Sequence, residues 1–324
     1  MAVFTEISRS HFERALCLYG LPGLVSYNGF ESGIENTTYG LNCEDGTIVV
    51  LTMFERRVRR ADIQFFSNFL GELYAASVNC PQILSHSGGQ SYFFIDEKLC
   101  VLQSFVEGKT VIDPSEKQCY LAGRQLGLMH QASAQSRLEK ENPLGVKSLK
   151  KLLPRALSHH SMKWQDRGER IENFFDTVVT HWPDDLPGGP VHADYFVDNV
   201  FFDQNDGVAV IDFFLGARDL FAYDLALAIC AWGFDEDGNV HSDKCRAFLS
   251  GYQGVYSLSE QEKIALPLLC KAGALRILLT RLIDDNIQRD AQSVTNKQPE
   301  PFWNMLLKIS DLEKNGEFKN FFSV

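Results

Sequence analysis

The chain has 324 residues, 45% of them hydrophobic and 23% charged, a formal net charge of -11 and a pI near 5.2. That composition is ordinary for a globular protein, and the length leaves room for two lobes with cores of their own. The acidic balance argues against a nucleic-acid partner, because neutralising phosphates takes a basic surface; bound ATP is still allowed, since a metal and local donors set the field around its phosphates.

In chain order, Ser10 followed by Glu13 reads as a capping box, opening a helix with Phe12, Leu16 and Tyr19 on one face and Gly20 and Pro22 beyond its end. Residues 26–44 are polar, 47–54 have a buried-strand pattern, and together they read as a hairpin. Four arginines at 56, 57, 59 and 60 lead into a helix with Ile63, Phe66, Leu70 and Leu73 on its apolar side, closed by Pro81. Residues 91–95 and 99–106 form a second hairpin about Asp96, Glu97 and Lys98. The first 105 residues are thus a small, mainly β lobe with a packed helix.

Residues 106–324 read as a larger, mainly helical lobe. Ala122, Leu126 and Met129 mark a helix to about 134, residues 135–151 are weakly patterned, and a helix runs near 170–180. Short strands at 200–202 and 208–211 flank the turn residues 204–207. Helices follow at 223–232, 243–252, 259–285 with a break at Pro267, and 301–312, with a surface loop over 288–299. The eight cysteines stand singly with no CxxC pair, so they read as free, mostly buried thiols of a reducing cytoplasm. No signal peptide is legible at the N-terminus, and the apolar run at 220–232 is too short to span a bilayer.

The informative stretch is 191–212. It holds His192, Asp194 and Asn199, a hairpin turn, and Asp212 at the end of an apolar strand, which keeps the spacing of the kinase catalytic loop H-x-D-x-x-x-x-N and its downstream metal aspartate. Phosphoryl transfer needs a positioned hydroxyl and neutralised phosphates. A carboxylate at Asp194 can accept the hydroxyl proton, and Asn199 with Asp212 offers the hard oxygen ligands that Mg2+ prefers. Asp and Asn are also common turn residues, but the His, the hairpin and the second Asp together exceed a chance turn. His192 fits packing of the loop better than proton transfer. Asp224 reads as a helix cap or as a brace for that loop.

The chain resembles the aminoglycoside phosphotransferase-like kinases, and within them the bacterial homoserine kinases of that type. The resemblance rests on 33–39 (GIENTTY), 51–57 (LTMFERR), 104–108 (SFVEG), 192–199, 211–213, Tyr223-Asp224, and Ala274-Leu275-Arg276 with Leu279-Thr280-Arg281. It implies an α+β, bilobal protein-kinase-like fold, with residues 1–105 as nucleotide-binding lobe and 106–324 as catalytic and substrate-binding lobe. It further implies ATP and Mg2+ as cofactors, Asp194 as base, Asn199 and Asp212 as metal ligands, Glu35 and Asn36 in the loop over the nucleotide, and Gln103, Ser104, Phe105 and Val106 as the hinge that meets adenine. The product would be O-phosphohomoserine, made in the cytoplasm.

The chain departs from the wider family at Thr52, where a Lys or Arg usually meets the phosphates; a hydroxyl cannot replace a cation, and Arg56 or Arg57 is the nearest substitute. For an amino-acid acceptor, Arg218, Arg276 and Arg281 are candidates to pair its carboxylate, and Asp198 and Asp219 its ammonium. The competing readings are a kinase of the same family acting on choline or ethanolamine, hydroxylysine, methylthioribose or an aminoglycoside; a silent ATP-binding protein; and a metal-dependent hydrolase.

Overall fold

The computed structural model describes residues 5–30, 36–55, 58–158, 161–235, 237–289 and 298–321, with only the backbone over 287–289. It divides into two compact units, Met1–Gly108 with Ala209–Phe214, and Lys109–Val208 with Leu215–Val324. Residues 290–297 of the expected surface loop lie outside the described residues, as do Glu35, Arg56 and Arg57.

The first unit contains α1 (Arg9–Leu18), β1 (Leu24–Gly29), β2 (Asn36–Cys43), β3 (Ile48–Phe54), α2 (Ile63–Ala75), β4 (Phe93–Ile95) and β5 (Lys98–Ser104). Its antiparallel sheet has the order β1-β2-β3-β5-β4, so the expected hairpin over 26–54 is a three-strand meander. Strand alternation sends Val49, Leu51 and Met53 to one face, where they bury with Leu41 and Leu102 against Phe12, Ala15 and Leu16 of α1. A side chain as enclosed as Phe12 contributes about 1.5–3 kcal/mol. Thr52 and Gln103 occupy the opposite face. The β4–β5 turn is as expected, with Asp96 and Glu97 both left-handed (φ 46° and 67°), which matches the twist of a two-residue hairpin.

Two expectations shift. The cap of α1 is Ser8 and not Ser10; its hydroxyl meets Ser10 Oγ (3.0 Å) and His11 Nδ1 (2.7 Å), so no capping box forms. Helix α2 stops at Ala75, before Pro81, because the chain turns left-handed at Ser77 (φ 63°). Phe66 and Phe69 of α2 pack edge-on against Phe214 and Phe213, and Val210 N donates to Asn79 O at 3.0 Å. These contacts explain why 209–214 belongs with the first unit.

The chain continues with α3 (Glu116–Ser133), α4 (Val146–Leu157), α5 (Met162–Gln165), α6 (Gly168–Thr180), β6 (Gly188–Val191), β7 (Val200–Phe202), β8 (Val208–Val210), β9 (Ala217–Leu220), α7 (Phe221–Trp232), α8 (Ser242–Gln253), α9 (Glu260–Arg289) and α10 (Glu300–Lys314). Helix α4 begins inside the stretch read as unpatterned; Leu149 and Ala156 are its buried face, and Pro154 lies within it. Nor does α9 break at Pro267. One backbone bond is lost there, but Leu266, Leu269, Cys270 and the buried run to Leu282 hold the helix on both sides. Helices α3 and α8 cross at glycines: a Cβ at Gly123 would sit 2.0 Å from Phe248 O, and one at Gly251 1.9 Å from Tyr120 O. That close approach brings Tyr252 of α8 to His130 of α3. None of the eight cysteines is paired and seven are buried, and among the described residues no helix is long and apolar enough to cross a membrane.

Candidate active site

The loop 192–199 starts where β6 ends. β6 pairs antiparallel with β9, Val191 opposite Ala217 and Gly189 opposite Asp219, and β9 runs directly into α7. This small sheet therefore sets His192 beside the first turns of α7, where Asp224 lies fully enclosed. Asp224 accepts the backbone N–H groups of His192 (3.2 Å) and Ala193 (2.8 Å). His130 meets it through Nε2 at 3.0 Å, and His130 Nδ1 is 2.7 Å from the Tyr252 hydroxyl. Of the two sequence readings for Asp224, the brace is the one realised. Burial alone would raise its pKa, but the His130 bond, the fields of His130 and His192 and the Ala193 amide outweigh it and hold the carboxyl below its ordinary value.

Ala193 is left-handed (φ 62°), a conformation that costs a non-glycine residue energy and persists only when its surroundings fix it. Here its amide goes to Asp224, and its carbonyl accepts Arg276 Nη1 at 2.6 Å. The Asp194 amide donates to His192 Nδ1 at 3.2 Å, so the fully buried imidazole folds the loop back on itself. Tyr195 is enclosed too; its hydroxyl donates to Ala122 O, and its carbonyl accepts the Trp232 indole at 2.9 Å. Within this rigid loop the Asp194 side chain remains 27% exposed.

Asn199 Nδ2 donates to Asp194 O (2.9 Å) and approaches Asp194 Oδ2 (3.4 Å). Those bonds fix the amide so that its carbonyl oxygen is the group left without a partner among the described residues. That oxygen suits a hard cation. Asp212 belongs to the first unit, just past β8, and is itself left-handed (φ 61°). Among the described residues no group of three or more His, Cys, Asp or Glu could hold a metal. Mg2+ needs no such cage, since it binds through one or two protein oxygens plus phosphate and water. An amide carbonyl such as that of Asn199 and a carboxylate such as that of Asp212 are each, taken singly, donors of the kind it prefers.

In the first unit Gln103 and Thr52 are buried, and Thr52 Oγ1 lies 3.4 Å from Gln103 Oε1. Ser104 is tied to Gln82, its amide to Gln82 O and its hydroxyl to Gln82 N, both at 2.9 Å. Just beyond, the backbones of Phe105 and Val106 make no hydrogen bond to any described residue, which leaves donors and acceptors for a base edge. Asn36 opens β2; Glu35 lies outside the described residues.

The structure separates the acceptor candidates. Arg218 is engaged with the 136–139 segment, reaching Ser136 O, Leu138 O and the Glu139 carboxylate. Asp219 accepts from Asn142 Nδ2 at 2.6 Å and from Leu220 N, and burial raises its pKa despite those bonds. Asp198 is exposed. Arg281 stands 3.8 Å from Asp284, and its buried Nε–H has no hydrogen-bond partner among the described residues. Of the candidate arginines, Arg276 is the one bonded to the loop that carries Asp194. Sequence reasoning missed His130 and Tyr252, since a single His and a single Tyr on separate helices carry no local signal.

Residues 26–258 match the sequence profile of the phosphotransferase enzyme family, and the chain belongs to that family. It is a small-molecule kinase, and membership implies ATP as phosphoryl donor. The chain is 37% identical over 284 residues to a homoserine kinase of Methylobacterium radiotolerans and 37% identical over 284 residues to one of Agrobacterium fabrum, with 88% of each chain covered in both cases. A microcompartment-associated aminopropanol kinase shares the fold with a TM-score of 0.73 at 14% identity, over 96% of this chain and 99% of that one.

Proposed function

We propose that the protein phosphorylates the hydroxyl of L-homoserine at the expense of ATP, giving O-phosphohomoserine on the route to threonine. The observation that carries this reading is the likeness to homoserine kinases along 88% of the chain, together with an Asp194 loop braced from both sides. Such a reaction on a free amino acid fits the cytoplasm.

In this reading the first unit takes the nucleotide. The unengaged backbone of Phe105 and Val106, at the end of β5 after Gln103 and Ser104, meets the adenine edge, and Glu35 and Asn36 belong to the segment over the phosphates. Asn199 and Asp212 would hold Mg2+, which when bound neutralises phosphate charge. Asp194 orients the acceptor hydroxyl and accepts its proton. The hydroxyl oxygen bonds to the terminal phosphorus, the bond to the bridging oxygen breaks, and ADP departs with that electron pair. His192 keeps the loop folded and takes no proton. For the acceptor carboxylate, Arg281 retains a spare N–H, whereas Arg218 is already bonded to its own unit.

The test is ADP release with Mg2+ against a panel of amino alcohols including homoserine, ethanolamine and 1-amino-2-propanol, with Asp194→Ala as control. Homoserine-dependent turnover that falls by about 10²–10⁴ in the variant is expected. Turnover with another alcohol only would move the acceptor, and phosphate release without any acceptor would overturn the kinase reading.

A further inference from the structure

Arg276 is an arginine in the middle of α9, where Leu275, Ile277, Leu278 and Leu279 are buried around it and the residue is 3% exposed. Burying a guanidinium is costly unless its donors are met, so its partners report what it is for. Nη1 donates to the Ala193 carbonyl at 2.6 Å, and Nη2 stands 3.5 Å from Asp194 Oδ1.

These distances differ in kind. The first is a short, charge-assisted hydrogen bond to the one strained peptide of the loop. The second is too long for a tight bond, so it sets a positive charge beside the carboxylate without using up its acceptor capacity. A guanidinium in direct fork contact with Asp194 would compete with the substrate hydroxyl for the same oxygen. Its short bond to Ala193 O holds it at that distance.

We propose that Arg276 is a positioning residue for phosphoryl transfer, holding the Ala193 peptide in its left-handed turn and thereby aiming the Asp194 carboxylate at the acceptor hydroxyl. Its guanidinium is then committed to the loop and does not pair the acceptor's carboxylate. The inference rests on the reading of Asp194 as the group that accepts the proton.

The test compares Arg276→Ala, Arg276→Lys and Asp194→Ala in steady-state turnover with homoserine and ATP, alongside thermal melts. Misplacement of the base predicts that Arg276→Ala loses about 10²-fold in kcat with both KM values within threefold of wild type. Millimolar guanidinium, but not urea, restores part of that loss. Arg276→Lys, which brings one point charge and no fork, loses about tenfold in kcat at an unchanged Tm. If Arg276→Ala fails to fold, the lysine variant carries the test, and full kcat there overturns the proposal. A tenfold rise in KM for homoserine with kcat retained also overturns it, by returning Arg276 to the acceptor. So does a kcat loss that guanidinium leaves untouched and that parallels a lower Tm. Full turnover in Asp194→Ala would instead sink the reading beneath, separately from the role of Arg276.

Discussion

The loop that carries Asp194 and the strand end that carries Gln103–Val106 handle polar groups in opposite ways. Around Asp194 the second unit buries charge: Asp224 and Arg276 are almost fully enclosed, and each is tied to the backbone of the same residue, Ala193. At the end of β5 the first unit buries a neutral pair, Thr52 and Gln103, and beyond Ser104 leaves the backbones of Phe105 and Val106 without a hydrogen-bond partner among the described residues. Ionic braces with fixed directions suit a group that must be aimed to a fraction of an ångström. A purine edge needs only a row of peptide donors and acceptors on a rigid strand. The contrast can be attacked from either end.

The largest effect is expected where the charge is deepest. Asp224→Ala leaves the amides of His192 and Ala193 and the imidazole of His130 facing no acceptor, and each such loss costs about 1–3 kcal/mol. The three share one site and will not add in full, so we expect about 3–5 kcal/mol and a fall in Tm on the order of 10 °C, read by calorimetry. The pH dependence has a definite sign. Because the folded carboxyl lies below its ordinary value, its contribution is complete above about pH 4 and disappears as pH falls through the folded value. Asp224→Asn should flatten that acid limb. A melt of Asp224→Ala within 2 °C of wild type would mean that the loop stands without its brace.

Much of this loop was legible because its parts are local in sequence: Asp194, Asn199 and Asp212 flank a hairpin turn with the spacing of the kinase catalytic loop. Its supports were legible only in part, since they come from far along the chain. Asp224 could be read as a cap or a brace, and Arg276 stood in a stretch shared with the resembled family, but as a partner for the acceptor; His130, ninety-odd residues before Asp224, sits in no pattern. The strands β6 (GGPV) and β9 (ARDL) show no alternation, because each is only four residues long and pairs to place its ends. In the first unit the periodic helix α2 and the turn at Asp96-Glu97 could be read directly. The unbroken α9 at Pro267 and the start of α4 could not, since packing overrides local preference there; nor could the cap at Ser8, an exposed serine whose hydroxyl meets Ser10 and His11.

A middle case lies in the first unit, where Glu55 forms an ion pair with Lys98 and accepts Thr37 Oγ1 (2.7 Å) and Thr5 Oγ1 (2.8 Å). Burial would raise the Glu55 pKa, but Lys98 and the two hydroxyls together lower it. Its stabilising effect is therefore present above the ordinary carboxyl value and lost as pH falls through the folded one. Lys98 is 38% exposed, so water screens the pair, and Glu55→Gln should cost about 1 kcal/mol in urea unfolding, against several for Asp224. Raising salt to about 1 M should shrink that cost, where the Debye length is about 3 Å. The Asp224 effect should hardly move under the same salt.

The smallest effect is expected at Thr52. Its hydroxyl meets Gln103 at 3.4 Å, the outer limit of a hydrogen bond, and the pair carries no charge. Thr52→Val keeps the β-branched shape on β3 and should cost about 0.5 kcal/mol or less. The sharper readout is KM for ATP, expected within twofold of wild type, because a hydroxyl facing another neutral side chain neutralises nothing on a phosphate. A tenfold rise would mean that Thr52 turns from Gln103 to the nucleotide when it binds. The first unit would then hold its ligand through a side chain after all, and the contrast with the Asp194 loop would reduce to one of charge alone.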